Sequence, residues 1–278
     1  TTSIYVPEHE KGVGPKSSEG EVFYNPAMEV NRDISISFLN ALGELWDRDI
    51  HALDGMAASG IRGIRIVKET GCSSVTLNDV NRSSVELIKK NLEKNGLDEE
   101  DRIKVKQRAI ETLVMTNRYG FNYIDIDPFG SPVPFFQPVV RFVSRGGIIG
   151  VTATDTAILC GTYPKACYRR YSARPRNNWC RHENGLRILI GFCVREGARY
   201  DRSVEPLLSY YDGHHLRTYI KVEEGARKAD KSLEKLKYYS FGDYDWEVIS
   251  EKVPSSSSAV GPMWSGDLSS NKILDLMD

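Results

Sequence analysis

Five short apolar runs, at 50–57 (IHALDGMA), 74–80 (SVTLNDV), 102–107 (RIKVKQ), 121–127 (FNYIDID) and 147–153 (GIIGVTA), are separated by stretches whose apolar residues recur at helical spacing. A switch between these two periods predicts alternating strands and helices. Strands that run parallel need a crossover long enough to hold a helix, so the pattern predicts a doubly wound, mostly parallel sheet. The clearest crossover carries Val85, Ile88 and Leu92 on one face and stops at Gly96. Ser83 and Glu86 have capping-box spacing, which makes Ser83 the expected N-cap. A further helix is expected from about His182 to Tyr200, followed by SVEPLLSYYDGHHLRTYIKV (203–222), two strand-like runs about an Asp212-Gly213 turn. The expected fold class is therefore α/β, a Rossmann-like sheet, mostly parallel, with a C-terminal antiparallel hairpin.

At 278 residues the chain can bury a full core, and one large domain with an extension is a better fit than two equal ones. Residues 1–30 hold Pro7, Gly12, Gly14, Pro15, Gly20 and Pro26 and read as an extended entry segment, while PSSSS at 254–258 reads as a linker. The expected division is 1–252 for the main domain and 253–278 for the linker and the start of a second domain. The chain opens on Thr1 rather than Met, as a fragment would. No apolar run approaches the roughly 18 residues of a membrane span, and no signal-peptide core is present. Five cysteines without a C-x-x-C pair suggest neither a zinc site nor a disulfide framework, and a reducing cytoplasm fits best. A soluble monomer without a metal is expected.

In an open parallel sheet ligands sit beyond the carboxyl ends of the strands. The first strand ends in DGMAASGIRGIR (54–65), where Asp54 precedes small residues, Gly60 among them, that let backbone approach a ligand. This run does not match G-x-G-x-x-G in register, and a tight turn without a ligand would look the same. The second strand ends in Asp79, 19 residues after Gly60, where an acid can accept from both hydroxyls of a ribose. Together these loops imply an adenosine-containing cofactor, either NAD or S-adenosylmethionine. The fourth strand runs into Asp127-Pro128-Phe129-Gly130. This resembles the acid-or-amide, proline, proline, aromatic motif of enzymes that methylate exocyclic nitrogens, and methyltransferase sheets of class I also end in an antiparallel hairpin.

The chemistry explains the motif. An exocyclic amine shares its lone pair with the ring, so it needs acceptors that orient its N–H groups and turn the lone pair toward the methyl donor. Asp127 and the carbonyl of Pro128 supply acceptors, and Phe129 can stack on the base. Asp125 is expected only to brace the loop beneath. Net charge is −1, which by itself gives no sign of nucleic acid, but 164–187 carries seven Lys/Arg against Glu183, a net +6, with Tyr168, Tyr171 and Trp179 interleaved. Basic residues alternating with aromatics suit RNA.

FYNPAMEVNRD (23–33), ASGIRGIR (58–65), DIDPFGSP (125–132), TATDTA (152–157), GTYPKACYRRYSARP (161–175) and GPMWSG (261–266), in this order, resemble the tRNA (guanine-N2-)-dimethyltransferase family over almost the whole chain. The resemblance implies an enzyme that dimethylates N2 of guanosine 26 of tRNA with S-adenosylmethionine. It implies that Arg32, Asp54, Gly60, Arg62, Asp79, Ala109 and Ile110 bind the cofactor. It further implies that Phe23, Pro128, Phe129, Arg169 and Arg170 bind substrate and that Asp127 is catalytic. Arg32 could instead form a surface ion pair with Asp33. One departure concerns the adenine: the family commonly has an acid followed by alanine after the third strand, where this chain reads Arg108-Ala109-Ile110-Glu111. The Ile110 N–H is then the expected adenine donor. Two other readings are an N-methyltransferase acting on DNA adenine, rRNA or protein, and a noncatalytic tRNA-binding module, which would have no need of Asp127-Pro128-Phe129.

Overall fold

The computed structural model of the chain describes residues 2–6, 22, 24–242, 245–250 and 259–277. The strands are β1 (His51–Asp54), β2 (Ser74–Asn78), β3 (Ile103–Lys106), β4 (Tyr123–Ile126), β5 (Gly147–Ala153), β6 (Arg202–Asp212), β7 (His215–Glu224), β8 (Leu236–Phe241), β9 (Trp246–Ser250) and β10 (Val260–Trp264). The helices are α1 (Glu29–Leu45), α2 (Ile61–Glu69), α3 (Arg82–Lys94), α4 (Ile110–Thr116), α5 (Val133–Phe142), α6 (Thr156–Leu159), α7 (Pro164–Tyr171), α8 (Arg181–Ala198), α9 (Ala226–Leu233) and α10 (Asn271–Met277). One sheet has seven strands in the order β3-β2-β1-β4-β5-β7-β6, and a second has three, in the order β10-β8-β9. The expected strands are β1 to β5, and the 203–222 run is the β6–β7 hairpin. The α/β fold class stands. By contact density the chain divides into two compact units, Thr1–Asp125 with Asp275–Asp278, and Ile126–Leu274.

In the first unit β1 runs parallel to both β2 and β4, with Asp54 opposite Leu77 on one side and Asp125 on the other. The paired residues Asp54, Leu77 and Asp125 thus lie level with one another. Leu53, Ile64, Ile66, Leu77 and Ile88 are fully excluded from solvent, each contributing roughly 1.5–3 kcal/mol of burial. The cap of α3 differs from expectation. Asn81, not Ser83, is its N-cap, its side chain accepting from the Ser83 N–H at 2.9 Å. Asn81 is also a preferred capping residue, and the helix starts one residue before Ser83, which leaves that serine inside the first turn. At the other end Gly96 takes φ +66°, as expected of a helix stop. The extended entry also closes earlier than the sequence suggests, since Asn25 caps a 3-10 turn at Pro26–Met28 that leads into α1.

In the second unit all seven residues of β5 are buried, and β7 pairs with it antiparallel from Gly147↔Val222 to Ala153↔Leu216. Helix α7 begins on Pro164, whose missing N–H costs nothing at a first helical position, and ends on Ser172 at φ +48°. Its inner residue Tyr171 packs edge-on against Phe192 of α8, ring centroids 5.6 Å apart, and Phe192 meets Phe136 of α5 at the same separation. The three-stranded sheet was not expected: β10, which holds the GPMW motif, pairs antiparallel with β8. Residues 254–258, expected to be a linker, lie outside the described residues. Among the described residues no helix is long and apolar enough to cross a membrane, and no group of three His, Cys, Asp or Glu side chains could hold a metal ion.

Candidate active site

Sequence places Asp54, Asp79, Ala109 and Ile110 at strand ends, and the first unit brings the corresponding loops together. Asn78, at the last position of β2 and buried, ties them. Its Nδ2 donates to the carbonyls of Gly55 (3.0 Å) and Arg108 (2.9 Å), and its Oδ1 accepts from the Arg108 N–H at 3.2 Å. The Gly55 N–H bonds to the carbonyl of Asp125 at 3.1 Å. A Cβ on Gly55 would strike Ile110 Cδ1 and stand 2.8 Å from that same carbonyl, so this turn admits only glycine. Gly60 holds φ +80° at the start of α2, a left-handed conformation that costs a residue with a side chain.

The acids and arginines then take distinct places. Asp54 is buried and accepts from the Gly63 N–H at 3.0 Å, an anion against the positive end of α2. Asp79, half-buried, accepts from the N–H groups of Ala58 and Asn81, both at 2.9 Å and one to each oxygen. Each carboxylate oxygen keeps a second lone pair. Two fixed acceptors beside a glycine-tight turn fit the vicinal hydroxyls of a ribose, so the residues present suit an adenosine. Ile110 is the first residue of α4, where N–H groups precede the helical ladder.

Arg32 and Arg62 are both about 6% exposed. Arg32 does not pair with Asp33, which binds Arg65 instead at 2.5 Å. It donates to the Asn25 carbonyl and to the Tyr24 hydroxyl, each at 3.3 Å, and burial lowers its pKa from the ordinary arginine value. Arg62 donates to Ser35 Oγ at 2.6 Å and lies 3.5 Å from Asp125 Oδ1. Asp125 is fully buried, and its other oxygen accepts from the Tyr123 hydroxyl at 2.8 Å. Its side chain therefore pairs with an arginine.

The second unit opens with the loop after β4. Asp127 is half-buried, Pro128 buried, and Phe129 is 66% exposed, which rules out a core role for that ring. The loop is tied to the end of β5: the Gly130 N–H donates to Thr154 Oγ1 at 2.6 Å, and the Thr154 N–H donates back to the Gly130 carbonyl at 2.9 Å. Ser131 Oγ lies 2.8 Å from the hydroxyl of Tyr171, which donates to Asp155 at 2.7 Å. Phe23 lies outside the described residues.

The basic segment 164–187 divides in two. Lys165, Arg169, Arg176 and Arg181 are exposed, as are Tyr163, Tyr168 and Trp179. Arg187 instead bonds Glu183 and the carbonyls of Trp264 and Gly266, so it holds the GPMW segment rather than facing outward. Arg170, though partly exposed, is paired with Asp155 at 3.1 Å.

Residues 2–278 match the family described as TRM: N2,N2-dimethylguanosine tRNA methyltransferase. The chain belongs to that family. A solved structure of Trm1 from Pyrococcus horikoshii, in complex with S-adenosyl-L-methionine, superposes with a TM-score of 0.87 at 37% identity and covers 99% of this chain and 74% of that one. The tRNA (guanine(26)-N(2))-dimethyltransferase of Pyrococcus abyssi is 42% identical over 93% of this chain and 71% of its own length. A family member from Aquifex aeolicus, tRNA (guanine(26)-N(2)/guanine(27)-N(2))-dimethyltransferase, is 40% identical over 95% of this chain and 70% of its own length.

Residues that sequence reasoning missed in this family member are Asn78, Thr154, Asp155 and Tyr171 as loop ties. Asn78 stands beside the acid that drew attention, and TATDTA was noted as a motif without a task for its side chains. Nothing in the local pattern says that Tyr171, 40 residues from Ser131, shares a hydrogen bond with it.

Proposed function

We propose that this chain transfers two methyl groups in turn from S-adenosylmethionine to the exocyclic N2 of guanosine 26 in tRNA. The observation that carries the reading is the Asp127-Pro128-Phe129 loop, with its aromatic ring exposed and its acid at the end of β4, in a chain of this family. The cofactor supplies a methyl group on a sulfonium centre. Asp79 takes the ribose hydroxyls, and the Ile110 N–H serves the adenine in place of the acid at that turn. The buried guanidiniums of Arg32 and Arg62 suit the carboxylate of the cofactor's methionine part, while Asp54 and Gly60 shape the loop and the start of α2.

On the substrate side Phe129 stacks on the extruded guanine, with Phe23 as a second ring. The Asp127 carboxylate and the Pro128 carbonyl accept from N2–H and so turn the nitrogen lone pair outward. An amine that has gained a methyl becomes strongly acidic, so Asp127 needs little base strength to take the proton that leaves N2. One N–H remains after the first transfer, and the same acceptor serves the second. Arg169 and its basic neighbours meet the tRNA backbone. The free, largely buried thiols support a cytoplasmic setting.

The test is nucleoside mass spectrometry of unmodified tRNA transcripts incubated with the enzyme and isotope-labelled S-adenosylmethionine. N2,N2-dimethylguanosine carrying two labelled methyls is expected, and mapping of the digested fragments separates position 26 from position 27. Label in another base, or none in tRNA, would overturn the reading.

A further inference from the structure

In the Asp127 loop Phe129 faces solvent and Gly130 takes φ +85°. Two ties reach it from sequence-distant elements of the second unit. Thr154 makes the reciprocal pair of bonds with Gly130 described above. The second tie is a directed chain. The Val133 N–H approaches Ser131 Oγ at 3.4 Å, and the Tyr171 hydroxyl, having one proton and giving it to the Asp155 carboxylate, leaves Ser131 as its donor. The carboxylate is closed at its far side by Arg170. Asp155 is only 6% exposed at its side chain and Tyr171 is fully buried. Burial first, and then the neighbouring Asp155, push the Tyr171 phenol far above its ordinary value, so it stays a donor.

We propose that Thr154, Asp155 and Tyr171 are positioning residues for the Asp127-Pro128-Phe129 loop, and that Arg170 belongs to this brace rather than to the phosphate-binding surface. The inference rests on the function proposed above. Its physical content is that an acceptor must sit within hydrogen-bond reach of N2–H, and displacements near 1 Å can cost about 10²-fold. Arg170 is thereby separated from its neighbour Arg169. Both lie on α7, but only Arg170 has its charge committed to a nearly buried carboxylate. Helix α7 then presents Arg169 to RNA and Arg170 to the brace.

The experiment compares Thr154→Val, Thr154→Ser, Tyr171→Phe, Arg170→Ala and Arg169→Ala with wild type and Asp127→Ala. Single-turnover methylation is measured at saturating unmodified tRNA transcript and saturating S-adenosylmethionine, alongside separate titrations of each. Thr154→Val and Tyr171→Phe should slow transfer by about tenfold or more with both dissociation constants within about twofold of wild type, and Thr154→Ser, which keeps the hydroxyl, should restore it. Arg170→Ala should lower the rate at saturation while leaving the salt dependence of tRNA binding unchanged. Arg169→Ala should do the reverse, reducing the salt slope by roughly 0.7–0.9. If buried variants lose cofactor binding through misfolding, the surface pair Arg170→Ala and Arg169→Ala decides. An Arg170→Ala enzyme with wild-type rate at saturation and a reduced salt slope would overturn the proposal, with wild type active and Asp127→Ala inactive showing that the functional reading survives. A wild-type enzyme that does not dimethylate tRNA would sink both.

Discussion

The two compact units build their sites by opposite means. In the first, backbone does most of the holding: Asp79 is fixed by two N–H groups, Gly55 allows a close approach of chains, and one side chain, Asn78, ties two loops. In the second, side chains hold a short exposed loop through Thr154, Ser131, Tyr171 and Asp155. A cofactor of fixed shape suits a site of backbone groups that do not reorganise, whereas a base that must enter and leave suits an exposed loop held by a few removable bonds. The lesson is that the first unit should fail by losing affinity and the second by losing rate.

The sharpest way to break that contrast is Asp127→Ala. Loss of the acceptor should lower single-turnover methylation by at least about 10²-fold, the scale of positioned acid–base groups, with S-adenosylmethionine affinity unchanged by calorimetry. Asp127→Asn, which keeps an oxygen acceptor without its charge, should retain measurable activity. A wild-type rate for Asp127→Ala would take the acid out of the mechanism. Asp79→Ala tests the other side. Two charge-assisted hydrogen bonds at about 1.5–3 kcal/mol each predict at least about 10²-fold weaker cofactor binding, with tRNA binding intact. If tRNA affinity falls in parallel, the two units do not divide the work as described.

Phe129→Ala should lose roughly 1–3 kcal/mol of base stacking, read as weaker binding of the productive tRNA complex, and Phe129→Tyr much less. The smallest effect concerns acid stability. Lys221 and Lys228 hold Glu223 of the second unit down to about 2 from the ordinary 4.5. A carboxylate depressed in the folded state adds stability above its unfolded pKa and loses it as pH falls toward the folded one. Thermal midpoints measured between pH 5 and pH 2 should therefore decline more gently for Glu223→Gln than for wild type, and the difference should shrink with added salt because the pair is partly exposed. In the first unit Glu69, lowered by its hydrogen bonds to Arg65, offers the matched variant.

Local pattern was enough for the strand–helix alternation, the hairpin at Asp212-Gly213, and the acids Asp79 and Asp127 at the ends of their strands, because period, turn chemistry and strand-end position are properties of neighbouring residues. It also marked Phe129, between Pro128 and Gly130, as a ring that can stack on a base. Tertiary structure decided the rest. Whether a cation faces water or a carboxylate depends on what a distant segment brings to it: Arg170 met Asp155, Arg187 met the carbonyls of Trp264 and Gly266, and Asp33 went to Arg65 rather than to its neighbour Arg32. The β8–β9–β10 sheet was illegible for the same reason, since two of its strands, β8 and β10, are joined by pairing across some 20 residues of sequence rather than by any local signal. Charge and periodicity are written along the chain; the partner of each charge is set only when the chain folds.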